Sequence, residues 1–141
     1  MSIEANWENA GCLCGAVKFA IDKETILGQA HCHCRDCQRA TGSAFASFCF
    51  VPEPGFRADS GEAKGYKVGG SSGQGVTRYF CAECGSQLYS EVGVMPGVKF
   101  VKSGSLDDAS WMSPGSAFWC DTAQPWVQMP EGVAKIDKNP G

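Results

Sequence analysis

Hydrophobic residues recur at short spacing along the chain, and glycine or proline punctuates every gap. "CLCGAVKFAI" (Cys12 to Ile21) alternates with a period of two. In an extended chain, side chains two apart share a face. Leu13, Val17, Phe19 and Ile21 then line one face, and Cys12 and Cys14 point together from the other. "ILGQAHC" is a second short strand candidate. "AFASFCFV" (Ala44 to Val51) is aromatic and extended, and Pro52 and Pro54 end it. Further candidates are Gly65 to Val68, Val76 to Phe80, Gln87 to Val92, Val98 to Lys102 and Ala117 to Cys120. No long stretch has a helical period. The piece after His31 is expected to turn through a brief helical or irregular segment ending at Gly42. Many short strands at close spacing predict a mainly β barrel or sandwich. "GGSSGQG" (Gly69 to Gly75) lacks the Lys-Ser/Thr ending of a phosphate loop and reads as a flexible hairpin connection.

The length, 141 residues, suits one domain. Residues 1–10 read as an N-terminal tail, 11–128 as a single zinc-binding domain and 129–141 as a C-terminal tail. The net charge of -3, with no Lys/Arg-rich run, argues against a nucleic-acid partner. The first ten residues lack the basic and apolar regions of a secretory signal. No apolar stretch approaches the ~18–20 residues of a membrane helix. The expectation is a soluble, cytoplasmic protein with no membrane partner. Thiols stay reduced in that compartment, so clustered cysteines point to ligands or catalysts rather than bridges. Nine cysteines are also an odd number for a closed disulfide framework.

Seven of the nine fall into three motifs: Cys12-Leu-Cys14, Cys32-His-Cys34-Arg-Asp-Cys37 and Cys81-Ala-Glu-Cys84, the last followed by Gly85. A Cys-x-x-Cys-Gly turn presents two thiolates to one ion, and the glycine permits the tight return. A closed structural zinc site needs four ligands. Cys12 and Cys14 can complete the set; the other pairing joins Cys81 and Cys84 to the middle cluster. The first is preferred because it leaves Cys32, Cys34 and Cys37 as a three-thiolate site. Catalytic zinc keeps a position for water or substrate, so four plus three predicts one strut and one reactive centre. Two alternatives stay open. All seven cysteines could simply hold the fold, or His31 or His33 could complete the trio. In an extended segment both histidines point away from the face of Cys32 and Cys34. Cys49 and Cys120 stand alone and read as small buried hydrophobes.

A three-thiolate zinc site carries a net charge of -1 and suits a soft fourth ligand. Metal binding favours a thiol's deprotonated form, which is also its nucleophilic form. Such a site can activate a thiol against a small electrophile such as an aldehyde, or run the reverse. A cysteine that leaves the metal to react directly is an alternative.

"GCLCGAVKF", "CHCRDCQRATGSAF", "RYFCAECGSQLY" and "SGSLDD" occur in this order, with a late Pro125-Trp126. Together they resemble the glutathione-dependent formaldehyde-activating enzyme family, over about Gly11 to Val127. The resemblance implies a β-tent, built from small antiparallel sheets joined around a structural zinc. It implies that Cys12, Cys14, Cys81 and Cys84 hold that zinc, and that Cys32, Cys34 and Cys37 hold a second, catalytic zinc. It implies a carbon–sulfur lyase that forms or cleaves S-(hydroxymethyl)glutathione, with glutathione as co-substrate of formaldehyde. The chain departs from the pattern at Ala117, where such proteins often carry a histidine. Glutathione's two carboxylates would need cationic or backbone donors. Arg35 and Arg39 flank the trio, and Gly42 and Ser43 offer backbone N–H groups, so Arg39, Gly42 and Ser43 are the candidate glutathione contacts. Arg78 is a weaker one. Trp119 and Trp126 could wall a pocket, although core packing is the simpler role. Alternative readings are a non-enzymatic zinc-stabilised binding module and a thiol-redox protein using Cys32, Cys34 or Cys37.

Overall fold

The Gly- and Pro-bounded segments fold into two sheets. The computed structural model describes residues 4–70 and 73–139. The smaller sheet is antiparallel and consists of β1 (Trp7–Gly11), β2 (Lys18–Asp22) and β5 (Phe56–Ser60), with β2 in the middle. The larger sheet contains β3 (Gly28–Cys32), β4 (Ala46–Pro52), β6 (Lys64–Val68), β7 (Val76–Phe80), β8 (Gln87–Val92), β9 (Val98–Lys102), β10 (Ser116–Phe118) and β11 (Ala134–Lys135). Its spatial order is β11-β10-β3-β4-β9-β8-β7-β6. The expectation of a mainly β fold is met. β10 departs from the antiparallel rule, running parallel to both β3 and β11.

β4 shows why its sequence is apolar without a clean alternation. Cys49 and Val51, both fully buried, face the smaller sheet and pack with Val101 of β9 and with Phe19 and Ile21 of β2. Phe48 and Phe50 point to the opposite face and pack with Phe100 and Phe118. A strand covered on both faces loses its polar positions. Phe19 stacks on Phe56 at 5.1 Å and meets Tyr89 edge-on at 5.8 Å, tying the two sheets together. Burying each such side chain stabilises the fold by about 1.5–3 kcal/mol.

Three expectations are corrected. The strand foreseen over Cys12 to Ile21 begins only at Lys18. Cys12 to Gly15 is a turn, closed by Gly15 N–H on the Cys12 carbonyl (3.2 Å). Gly15 has φ +82, a left-handed conformation outside the extended region of a regular strand. Leu13 sits at the tip, 90% exposed, while Val17, Phe19 and Ile21 enter the core. The stretch read as an N-terminal tail contributes β1, because its backbone pairs along β2 from Trp7 onward. The stretch read as a C-terminal tail contributes β11, whose two residues pair with Ser116 and Ala117. Backbone alone carries that pairing, and no apolar pattern announces it. Gly69–Gly75 joins antiparallel β6 and β7 as a hairpin connection, and its Ser71 and Ser72 lie outside the described residues. Among the described residues no helix is long and apolar enough to cross a membrane.

Candidate metal centres

Two turns from different sheets bring four sulfurs together. Cys12 and Cys14 sit on the β1–β2 turn of the smaller sheet, and Cys81 and Cys84 on the β7–β8 turn of the larger one. Gly85, at φ +78, lets that second turn close by donating its N–H to the Cys81 carbonyl at 2.8 Å. The four Sγ atoms lie within 4.8 Å of one another. Cys12 and Cys14 are 3.7 Å apart, and Cys14 and Cys81 3.8 Å. Tetrahedral zinc with bonds of ~2.3 Å would hold its sulfurs about 3.8 Å apart. The quartet therefore fits a closed zinc site that spans the two sheets.

Donors around the quartet favour thiolates at Cys12 and Cys84. Val17 N–H donates to Cys12 Sγ at 3.2 Å, and this bond lowers the Cys12 thiol. Ser86 Oγ accepts from Leu13 N–H at 3.0 Å, which links the two turns. Its proton is then free for Cys84 Sγ at 3.2 Å. The Ser86 hydroxyl and amide together bring Cys84 down to about 5.

The trio forms where β3 runs into the helix. Cys32 ends β3, Cys34 is the N-cap of α1 (Arg35–Thr41), and Cys37 lies in the first turn. Cys34 Sγ accepts the Cys37 N–H at 3.2 Å, the capping bond a serine hydroxyl usually supplies. The helix stops at Gly42, whose φ of +67 lets its N–H reach the Gln38 carbonyl at 2.9 Å. The three Sγ atoms lie within 4.8 Å of one another, with Cys32 and Cys37 buried and Cys34 half-buried. This donor set also fits a zinc ion, with only three ligands. Cys32 and Cys34 hydrogen bond to Cys37 and hold it far below its ordinary value, while Cys32 is pushed up in exchange.

Two cations that the sequence did not assign to the trio stand beside it. Arg78 Nη2 donates to Cys37 Sγ at 3.8 Å. Lys102 is only 8% exposed, with its Nζ 5.0 Å from the Phe48 ring. Burial lowers its amine, and the charge of Cys37 opposes that.

All nine cysteines are free thiols, so no disulfide framework exists. Cys81 and Cys84 join Cys12 and Cys14, not the middle cluster. Neither histidine joins the trio. His31 Nδ1 lies 2.7 Å from Ser47 Oγ, and His33 is buried against Phe45. Cys49 is fully buried and pushed up to about 12 by that burial. Cys120 is half-buried, with Met129 Sδ at 3.8 Å. Both lie outside the clusters. Ala117, fully buried, pairs with His31 across β10 and β3.

The candidate glutathione contacts lie on another side of α1. Arg39, Gly42 and Ser43 line a cavity of about 760 Å³ with Arg35, Gln38 and Trp126, and no trio sulfur borders it. At 100° per residue, Arg35, Gln38, Arg39 and Gly42 share one helix face, while Cys34 and Cys37 lie on another. Gln38 ties the cavity to the trio's loop. Its Nε2 donates to the carbonyls of His33 (2.7 Å) and Thr122 (3.1 Å), and its Oε1 accepts from Gln124 (2.8 Å). Trp126 is exposed at the cavity, whereas Trp119 packs with the aromatic residues near the trio.

Two sheets bridged by a cysteine quartet, with a separate cysteine trio at a strand–helix junction, define a mainly β domain with two sites able to hold a metal ion. The chain belongs to the glutathione-dependent formaldehyde-activating enzyme family, whose sequence model matches residues 8–122. A crystal structure of a Rhodobacter sphaeroides protein shares the fold, with a TM-score of 0.57 at 20% identity, covering 75% of this chain and 91% of that one. No curated protein matches the chain.

Proposed function

We propose that the protein is a zinc-dependent carbon–sulfur lyase acting on a glutathione adduct. It forms or cleaves S-(hydroxymethyl)glutathione, with formaldehyde and glutathione as the other side of the reaction. The observation that carries this reading is the partition of seven sulfurs into a group of four and a group of three. Family membership supports the two substrates. Cys12, Cys14, Cys81 and Cys84 hold the structural zinc. Cys32, Cys34 and Cys37 hold the catalytic one and leave a coordination position open. A zinc ion there stabilises a bound sulfur as thiolate.

Arg39 receives a glutathione carboxylate in the cavity. The Gly42 and Ser43 amides, expected from the sequence to share that role, already donate to the Gln38 carbonyl (2.9 Å) and to Thr41 Oγ1 (3.2 Å). The tripeptide then lies across α1, whose half-width of ~5–6 Å is shorter than an extended tripeptide of ~10 Å. In the forward direction the glutathione sulfur bonds to the formaldehyde carbon. The thiol's proton ends on the former carbonyl oxygen, giving the hydroxymethyl group. The reverse returns that proton to sulfur as the carbon–sulfur bond breaks. A cytoplasmic setting would supply glutathione and keep the nine thiols reduced.

Exchange between ¹³C-formaldehyde and S-(hydroxymethyl)glutathione, followed by NMR, tests the proposal. The zinc-loaded protein accelerates exchange, and Cys34→Ser abolishes the acceleration while the chain stays folded. Exchange no faster than in protein-free buffer, with both sites carrying metal, would overturn it.

A further inference from the structure

The two cations beside the trio have no carboxylate to balance them. Among the described residues the ion pairs are Arg57–Asp59, Lys99–Glu91 and Lys138–Asp121, and neither Arg78 nor Lys102 takes part. Both lie on the sheet face that carries Cys32. Arg78 of β7 pairs with Ser90 of β8, Ser90 pairs with Phe100 of β9, and Lys102 pairs with Phe48 of β4. Cross-strand partners share a face. The Ser90 hydroxyl is buried on that face without a hydrogen-bond partner among the described residues. Keeping an ammonium buried is costly unless an anion meets it. A dication bound by three thiolates carries a single negative charge, which these two cations exceed by one. A fourth thiolate brings the sum to zero.

We infer that Arg78 and Lys102 determine ligand specificity at the trio, making its open position select an anionic sulfur ligand, a thiolate, over water or a neutral donor. The inference rests on the reading of the trio as a zinc site. An incoming thiol gives its proton to bulk water and enters as the thiolate, and no other bond is made or broken. The Phe48 ring, stacked on Phe100, lies 5.0 Å from the Nζ of buried Lys102, and a drier surrounding strengthens the attraction between cation and thiolate.

Cobalt-loaded protein titrated with 2-mercaptoethanol, followed by sulfur-to-cobalt charge-transfer absorption, tests the inference. This thiol has no carboxylate, so the arginines of the cavity play no part. Lys102→Met and Arg78→Gln should each weaken thiol binding about ten-fold or more. Metal content should stay unchanged, because neither residue supplies a ligand atom. Arg78→Lys, which restores the charge at a half-exposed position, should return affinity to within about three-fold of wild type. Wild-type thiol affinity in both neutral variants overturns the inference and leaves the zinc reading intact. Equal loss of metal and thiol binding assigns the cations a structural role and also overturns it. A wild-type site that binds cobalt but shows no response to thiol overturns the zinc–thiol reading itself, and the inference with it.

Discussion

Serine at position 84 and serine at position 34 each remove one sulfur from a cluster, yet their effects on stability should differ widely. Cys14 and Cys81, whose sulfurs approach to 3.8 Å, are 67 residues apart in the chain. A clip that closes so long a loop removes unfolded-state entropy worth about 4 kcal/mol, by the loop-closure relation for cross-links. Cys32 and Cys37 are five residues apart, and the same relation gives only about 2 kcal/mol. Serine at position 34 also preserves the helix cap, since its hydroxyl can accept the Cys37 N–H that Cys34 Sγ now accepts. A domain's whole stability is about 5–15 kcal/mol. Cys84→Ser therefore puts folding at risk, and Cys34→Ser does not. Urea denaturation with parallel zinc analysis reads both. With a slope of about 1–3 kcal/mol/M, the Cys84→Ser midpoint should fall by about 2 M and the Cys34→Ser midpoint by less than half of that. Each variant should lose the zinc of its own cluster. Equal midpoint losses would refute the division between a structural and a reactive cluster.

Two further predictions concern a close backbone approach and thiol reactivity. A Cβ at Gly61, whose φ is +75, would lie 1.9 Å from the Ala16 carbonyl oxygen, whereas Gly42, at φ +67, has open space around it. Gly61→Ala should cost about 3 kcal/mol or more and Gly42→Ala about 1 kcal/mol, and thermal melts that place the two variants together would contradict the packing of β2 against β5. In zinc-stripped protein at pH 7, the Ser86 hydrogen bonds that bring Cys84 to about 5 make it a thiolate. The Ala16 amide lowers Cys14, but the Cys12, Cys84 and Cys81 thiols outweigh it and push Cys14 up to about 12. Iodoacetamide should therefore label Cys84 ahead of the more exposed Cys14, and mass spectrometry of digested protein would show the order. The folded Cys84 thiolate favours folding above its unfolded value of ~8.5. That contribution is lost as pH falls through about 5.

Spacing made the sulfur clusters legible. Cys-x-x-Cys-Gly specifies a turn from local chemistry, and Gly85 adopts the conformation that turn needs. The division of seven sulfurs was also legible, because it follows from counting ligands. The placement of Cys12 and Cys14 was not. Period-two alternation continues through Cys12 to Ile21, but Gly15 breaks the strand, and the two thiols converge from a turn instead of from one strand face. β1, β5 and β11 were missed for a related reason. Their residues are mostly exposed or half-buried, so pairing rests on backbone hydrogen bonds that leave little apolar trace. A strand visible only through its partner cannot be read before the partner is known.

The surroundings of the trio lay beyond sequence reading for a reason of topology. Arg78 and Lys102 are separated by the whole of β8; in the sequence Arg78 reads only as a weak candidate glutathione contact in mid-strand, and Lys102 as an ordinary strand-end charge. Only the pairing of Arg78 with Ser90, Ser90 with Phe100 and Phe48 with Lys102 brings both to the face of Cys32. Arg35 and Arg39 show the converse. They adjoin the cysteines in sequence, yet the helix turns them into the cavity that no trio sulfur borders. In a helix, proximity along the chain is undone by 100° of rotation per residue; in a sheet, distance along the chain is undone by pairing. The charges that face the trio therefore come from distant strands, and those nearest in sequence serve a different surface.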